Sequence, residues 1–131
     1  MATVPLLDDD SAGDQARAIF ADIRAKRQTD YINNFWRHLA NDPALMAAVW
    51  DRLQAVMAPG ALDPLVKEMI YVAVSTANGC DYCIASHTAA ARGKGMTQAQ
   101  HGELLAVIGM ASQTNALVKA LGVEVDERFK A

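Results

Sequence analysis

"DPLVKEMIYVAVSTANGCDYCIASHTAAARGKGMT", residues 63–97, decides how this chain folds. Asp63 followed by Pro64 is the signature of a helix start: a side-chain cap, then a proline in the first turn, where no backbone donor is needed. From there Leu65, Val66, Met69, Ile70, Val72, Ala73 and Val74 go nearly all round a helix that runs to about Ala77. Such a helix is expected to be central and buried. Asn78-Gly79 breaks it. A second helix is predicted from near Cys80 to Arg92, and "GKGMT" is a loop. The stretch is therefore two helices joined by a tight turn, with both cysteines of the chain just after the turn. Glu68 stands on the first of the two, where a carboxylate is costly unless something pairs with it.

The same helical period extends in both directions. In "NDPALMAAVWDRLQAVM", residues 41–57, Asn41 or Asp42 caps, Pro43 sits in the first turn, and Leu45, Val49, Leu53 and Val56 form a stripe that ends at "APG". Further upstream a short helix is predicted over Tyr31 to Leu39. Another is predicted after Ser11 as cap, with Ala12, Ala16, Ile19, Phe20 and Ile23 in register. Downstream, Thr97 caps a last helix that runs through Leu121 to a stop at Gly122, with a polar tail beyond. Alternation of the strand type is missing. The expectation is an all-α, single helical domain over residues 1–131 with about six helices. Residues 1–10 form an N-terminal arm, and arm and tail are loosely held. Leu104, Leu105, Val107, Ile108, Met110, Leu117, Val118 and Leu121 go nearly round the last helix. That is more apolar surface than one small domain covers, so a homo-oligomer is expected.

Composition narrows the function. The chain has 131 residues, 52% hydrophobic and 21% charged, with a formal net charge of -3. No stripe of Lys and Arg marks a nucleic-acid surface. The start "MATVPLLDDD" has neither the basic nor the apolar segment of a signal peptide. No run approaches the ~18 uninterrupted apolar residues of a spanning segment. The expectation is a cytoplasmic protein with no membrane and no nucleic-acid partner. In a reducing compartment two cysteines three apart point to metal or redox chemistry rather than to a structural staple. Trp36 and Trp50 are expected in a core or an interface, His38 and His101 at the surface, and Met69, Met96 and Met110 as apolar fillers.

Cys80, Cys83 and His87 are spaced i, i+3, i+7, which puts them within about 60° of one another on a helix. Cys83 and His87 are an i, i+4 pair, close enough for an imidazole to meet a thiol. Cys80 falls at the helix N-terminus, where free N–H groups and the dipole favour a thiolate. Three readings compete. The cysteines could be small apolar fillers. Cys80, Cys83, His87 and Glu68 could hold zinc, although structural zinc usually ties separate segments together. Or the pair could cycle between dithiol and disulfide. A thioredoxin fold is disfavoured because helix, not strand, precedes Cys80. A c-type haem site fails because Ile84, not His, follows Cys83.

Glu68, then Cys80-Asp81-Tyr82-Cys83, then His87 resembles the E…CxxCxxxH signature of the carboxymuconolactone decarboxylase superfamily, and within it the alkylhydroperoxidase (AhpD-like) branch. "NNFWRHLANDPALMAAVWD" looks like the segment that precedes the core in peroxidase-related members, and residues 65–97 look like the core itself. The resemblance implies an all-helical domain assembled as a trimer or hexamer. It implies reduction of hydroperoxides by a redox-active Cys80–Cys83 pair, with Glu68 and His87 as a proton relay. It also implies an external dithiol reductant, such as a lipoyl-bearing protein, and neither flavin nor metal. Tyr82 stands where the best-known peroxidase of the family carries a histidine, and is a possible pocket residue. The duplicated half of longer members is not present in this chain, which favours a larger oligomer. On this reading Cys83, with His87 one turn away, is the peroxidatic thiol and Cys80 the resolving one. The alternatives are a redox-switched or metal-holding binding module and a decarboxylase-like member of the same superfamily.

Overall fold

The computed structural model describes residues 1–130 and is all-helical, with no strand among the described residues. The elements run α1 (Asp14–Arg27), α2 (Asn34–Leu39), α3 (Pro43–Met57), α4 (Pro64–Ala77), α5 (Asp81–Gly93) and α6 (Gln98–Leu121), followed by a single 3-10 turn, Glu127–Phe129. The chain divides into two compact units, Met1–Ala58 and Pro59–Ala131.

In the first unit α1 and α2 pack against α3. The core holds Ala16, Phe20 and Ile23 of α1, Trp36 of α2, and Met46 and Trp50 of α3. The two tryptophans meet edge to face, with ring centroids 5.3 Å apart, and both are buried as expected. Trp50 satisfies its one polar atom by donating from Nε1 to Asp22 Oδ2 at 2.7 Å. Two starts differ from the sequence expectation. Ser11 does not cap α1, whose N-cap is Gly13 without a side-chain bond. The Ser11 hydroxyl is instead committed upstream, donating to Asp8 Oδ1 at 2.7 Å. And α2 begins at Asn34, three residues later than the Tyr31 start the period suggested.

The arm is also better held than expected. Arg24 forks onto both carboxylate oxygens of Asp9, at 2.7 and 2.8 Å. Leu7 exchanges two hydrogen bonds with Arg37, backbone N–H to its carbonyl at 3.2 Å and Nε to the Leu7 carbonyl at 2.9 Å. Asn41 donates to the Pro5 carbonyl at 2.8 Å. With the arm tied on either side of it, His38 is half-buried rather than on the surface, and its Nδ1 is enclosed without a hydrogen-bond partner.

In the second unit α4 packs on α5 and α6 around Val72, Ala91, Met96 and Leu104. Two of its three α-helix starts carry the side-chain caps the sequence signals require: Asp63 accepts from the Leu65 N–H at 2.8 Å, and Thr97 forms a reciprocal capping box with Gln100. Gly122, with φ 62°, ends α6. The expectation of an all-round buried α4 needs correction. One face is buried, through Glu68, Val72 and Ser75, but Val66, Ile70 and Val74 on another are about half exposed. Leu105, Val107, Met110, Leu117, Val118 and Leu121 of α6 are exposed in the same way. By length and composition α6 is also long and apolar enough to cross a membrane, with a mean hydropathy of 1.4 over its most apolar window. Four consecutive polar residues, Ser112 to Asn115, interrupt its middle.

Candidate active site

The site lies within the second unit and is built by the α4–α5 hairpin. Asn78 ends α4, and Gly79 turns the chain with φ 68°, a left-handed conformation that a Cβ would strain. The Cys80 N–H is caught by the Ser75 carbonyl at 3.0 Å, which places Cys80 at the N-cap of α5. There its sulfur accepts the Cys83 N–H at 3.2 Å. Cys80 and Cys83 are joined as a disulfide with Cα atoms 5.3 Å apart. The sulfur pair thus sits on the positive end of α5.

One turn beyond Cys83, His87 turns back to α4. Its Nδ1 lies 2.7 Å from Oε2 of Glu68, whose other oxygen takes Lys94 Nζ at 3.1 Å. The Glu68 side chain is 7% exposed and that of His87 20%. Burial pushes the Glu68 carboxyl up. The hydrogen bonds and charges of His87 and Lys94 outweigh burial and hold it below the usual carboxylate value. Against an ionised carboxylate, which only accepts, Nδ1 must be the donor. The free nitrogen of a neutral His87 ring is then Nε2, with its lone pair available. The ring is clamped from its face by Tyr71, stacked at 3.5 Å between centroids and 16° between planes.

Of the residues singled out from sequence, Glu68, Cys80, Cys83 and His87 come together on this hairpin. Tyr82 lies in the first turn of α5, 46% exposed. Lys94 and Tyr71 were not singled out as site residues. Tyr71 had a signal, being i+3 from Glu68 on one helix. Lys94 had none, since it is 26 residues from Glu68 and reaches it from the turn after α5.

Residues 43–124 match the carboxymuconolactone decarboxylase family. The chain belongs to that family. Within it, the chain is similar to the alkyl hydroperoxide reductase AhpD of Solibacter usitatus, 34% identical over 112 residues, covering 84% of this chain and 62% of that one. An uncharacterized protein of Cupriavidus necator is 38% identical over 65 residues, 50% of this chain and 58% of its own. The chain spans about three fifths of the length of the curated relatives it matches. Among solved structures, the alkylhydroperoxidase AhpD core from Rhodospirillum rubrum superposes with a TM-score of 0.96 at 60% identity, over 100% of this chain and 98% of that one. This is therefore an AhpD-like member of the carboxymuconolactone decarboxylase family, and the all-helical architecture is shared with its relatives.

Proposed function

We propose that this protein is a thiol-dependent alkyl hydroperoxide reductase, an antioxidant enzyme working through Cys80 and Cys83. The observation that carries the reading is the Cys80–Cys83 disulfide at the start of α5, one turn from a histidine tied to a buried carboxylate. In the reduced state His87 Nε2 takes the proton of the Cys83 thiol. The thiolate attacks the O–O bond of the hydroperoxide, so that Cys83 becomes a sulfenic acid and the alkoxide leaves as the alcohol, protonated from His87. Cys80 then condenses with the sulfenic acid, forming the disulfide and releasing water. An external dithiol, of the lipoyl type, returns the pair to the reduced state by exchange. No metal or organic cofactor takes part in these steps. Glu68 orients His87 and balances the imidazolium that forms.

The AhpD names of the relatives support the peroxidase reading over a decarboxylase one, which has no use for a dithiol. A metal-holding module suits the arrangement less well, because Glu68 already faces an ammonium group and an imidazole. The exposed apolar faces of α4 and α6 support assembly of several copies, as a trimer or hexamer. The polar run from Ser112 to Asn115 suits a protein interface better than a hydrocarbon layer. A cytoplasmic location fits a pair that must be kept reduced between turnovers.

The test is a thiol count. Reduced protein treated with one equivalent of an alkyl hydroperoxide should lose two free thiols per chain, and a dihydrolipoyl compound should restore both. An unchanged count would end the peroxidase reading. In the single variants, a sulfenic-acid probe should label Cys80→Ser at Cys83, and labelling only of Cys83→Ser at Cys80 would reverse the two roles.

A further inference from the structure

The thiol steps above use Cys80, Cys83, His87 and Glu68, and leave one charged neighbour without a part. Lys94 sits between Gly93 and Gly95 in the turn that closes α5, its N–H bonded to the Ala90 and Ala91 carbonyls. From there its side chain, 42% exposed, reaches back to Oε1 of Glu68 at 3.1 Å.

A carboxylate buried to this degree needs a balancing positive charge. Either partner of Glu68 could provide it. If His87 did so as an imidazolium, both ring nitrogens would carry protons and neither could accept one from a thiol. A lysine ammonium keeps its charge throughout the range in which an imidazole titrates. Among the described residues, the charges that act on Glu68 are those of Lys94 and His87. Tyr71 of α4 presents its ring to His87. The α6 helix enters the apolar core of this unit through Leu104 and Ile108, while its His101 faces Arg92 at 3.5 Å and its Glu103 is exposed.

We propose that Lys94 is a positioning residue for the peroxide reaction: by holding Oε1 of Glu68 it balances the buried carboxylate and leaves His87 neutral, with Nδ1–H on Oε2 and Nε2 free to act as base. The assignment rests on the reading of His87 as the base for Cys83. Lys94 touches no reacting atom. Its effect is on how strongly the Glu68 carboxylate holds a proton on His87.

The experiment compares Lys94→Met, Lys94→Gln and Lys94→Arg with the parent chain. The ring of His87 is followed through its titration by NMR in the full-length protein, and thiol loss to an alkyl hydroperoxide is followed across the same pH range. In Lys94→Met the titration midpoint of His87 moves up by about one unit, because the imidazolium becomes the sole cation beside the carboxylate. Lys94→Arg stays within a few tenths of a unit of the parent. The acid limb of the thiol-loss profile moves with the midpoint. The rate at pH 6 falls about tenfold in Lys94→Met, while the rate on the alkaline plateau is retained. Lys94→Gln repeats the measurement with a polar neutral side chain if the methionine variant does not fold. A His87 midpoint that stays put in a folded neutral variant overturns the assignment. So does one that moves as far in Lys94→Arg, since that would reflect disturbed packing and not charge. If even the parent chain loses no thiols to peroxide, the peroxidase reading fails on its own, and the NMR midpoints still decide the role of Lys94.

Discussion

Glu68 is the residue on which the site turns. Its two oxygens serve two donors from different segments, so its removal leaves the largely buried His87 imidazole without its acceptor and the half-exposed Lys94 without its partner. Glu68→Ala should therefore cost about 1–3 kcal/mol of stability, read as a lowered urea midpoint. It should also slow thiol oxidation by about a hundredfold at pH 7, as loss of a group supporting acid–base transfer does. Tyr71 is the second residue with a testable part. Its ring lies flat on the His87 imidazole, and a stacked aromatic pair is worth about 0.5–1.5 kcal/mol. Tyr71→Phe should leave stability and thiol oxidation near the parent values. Tyr71→Ala should lose at least that much stability and slow oxidation, and an unchanged rate in Tyr71→Ala would show that Glu68 alone orients the imidazole. Sequence reasoning reached Glu68 through its cost on an apolar helix, and Cys80, Cys83 and His87 through helical spacing. It could not reach Lys94, because no periodicity relates a turn residue to a helix passed 26 positions earlier.

At the scale of elements, the hairpin between α4 and α5 does the positioning. Its geometry depends on Gly79 with φ 68° and on the hydrogen bond from the Cys80 N–H to the Ser75 carbonyl. A Cβ at residue 79 would meet nothing within 4 Å, so the penalty of Gly79→Ala is conformational alone. It should be about 1 kcal/mol, visible as a lower thermal midpoint. Because the turn sets where Cys80 enters α5, the same variant should close the disulfide more slowly after peroxide treatment. A variant as stable and as fast as the parent would show that the hairpin tolerates another turn. The starts of α3, α4 and α6 were legible from capping residues and first-turn prolines, and that of α5 from the Asn78-Gly79 break, because those signals are local. The start of α1 departs from its capping signal because another local bond, three residues upstream, takes the hydroxyl. Ser11 has the right chemistry for a cap, and its hydroxyl is spent on Asp8.

At the scale of the whole molecule, four carboxyls among the described residues are held below their ordinary values. Asp8 is lowered by Ser11, and Asp9 by Arg24. Asp22 is lowered by Trp50 and Lys26. At Glu68, burial acts upward but is outweighed by His87 and Lys94. A carboxyl whose folded value lies below its unfolded one stabilises the fold fully above the unfolded value, and that contribution disappears as pH falls through the folded value. The unfolded references are 3.8 for the aspartates and 4.5 for Glu68. These groups should therefore cause no loss of stability between pH 7 and about 5.5, and a progressive loss below about 4.5. Urea midpoints across that range check this. Glu68→Gln should flatten the upper part of the fall, and an unaltered curve in that variant would mean that Glu68 is not ionised in the fold.

The amino-acid sequence by itself determined the helical class, nearly all the helix boundaries and the stripe of two sulfurs and an imidazole. All of these follow from interactions between residues a few positions apart: the 3.6-residue period, the caps and the breaks. Only the tertiary structure decided which groups share the Glu68 carboxylate, that the N-terminal arm is tied to Arg24 and Arg37, and that α4 keeps an exposed apolar face. Those outcomes depend on which side chains meet after the helices pack, and contacts between distant positions leave no periodic trace in the order of residues.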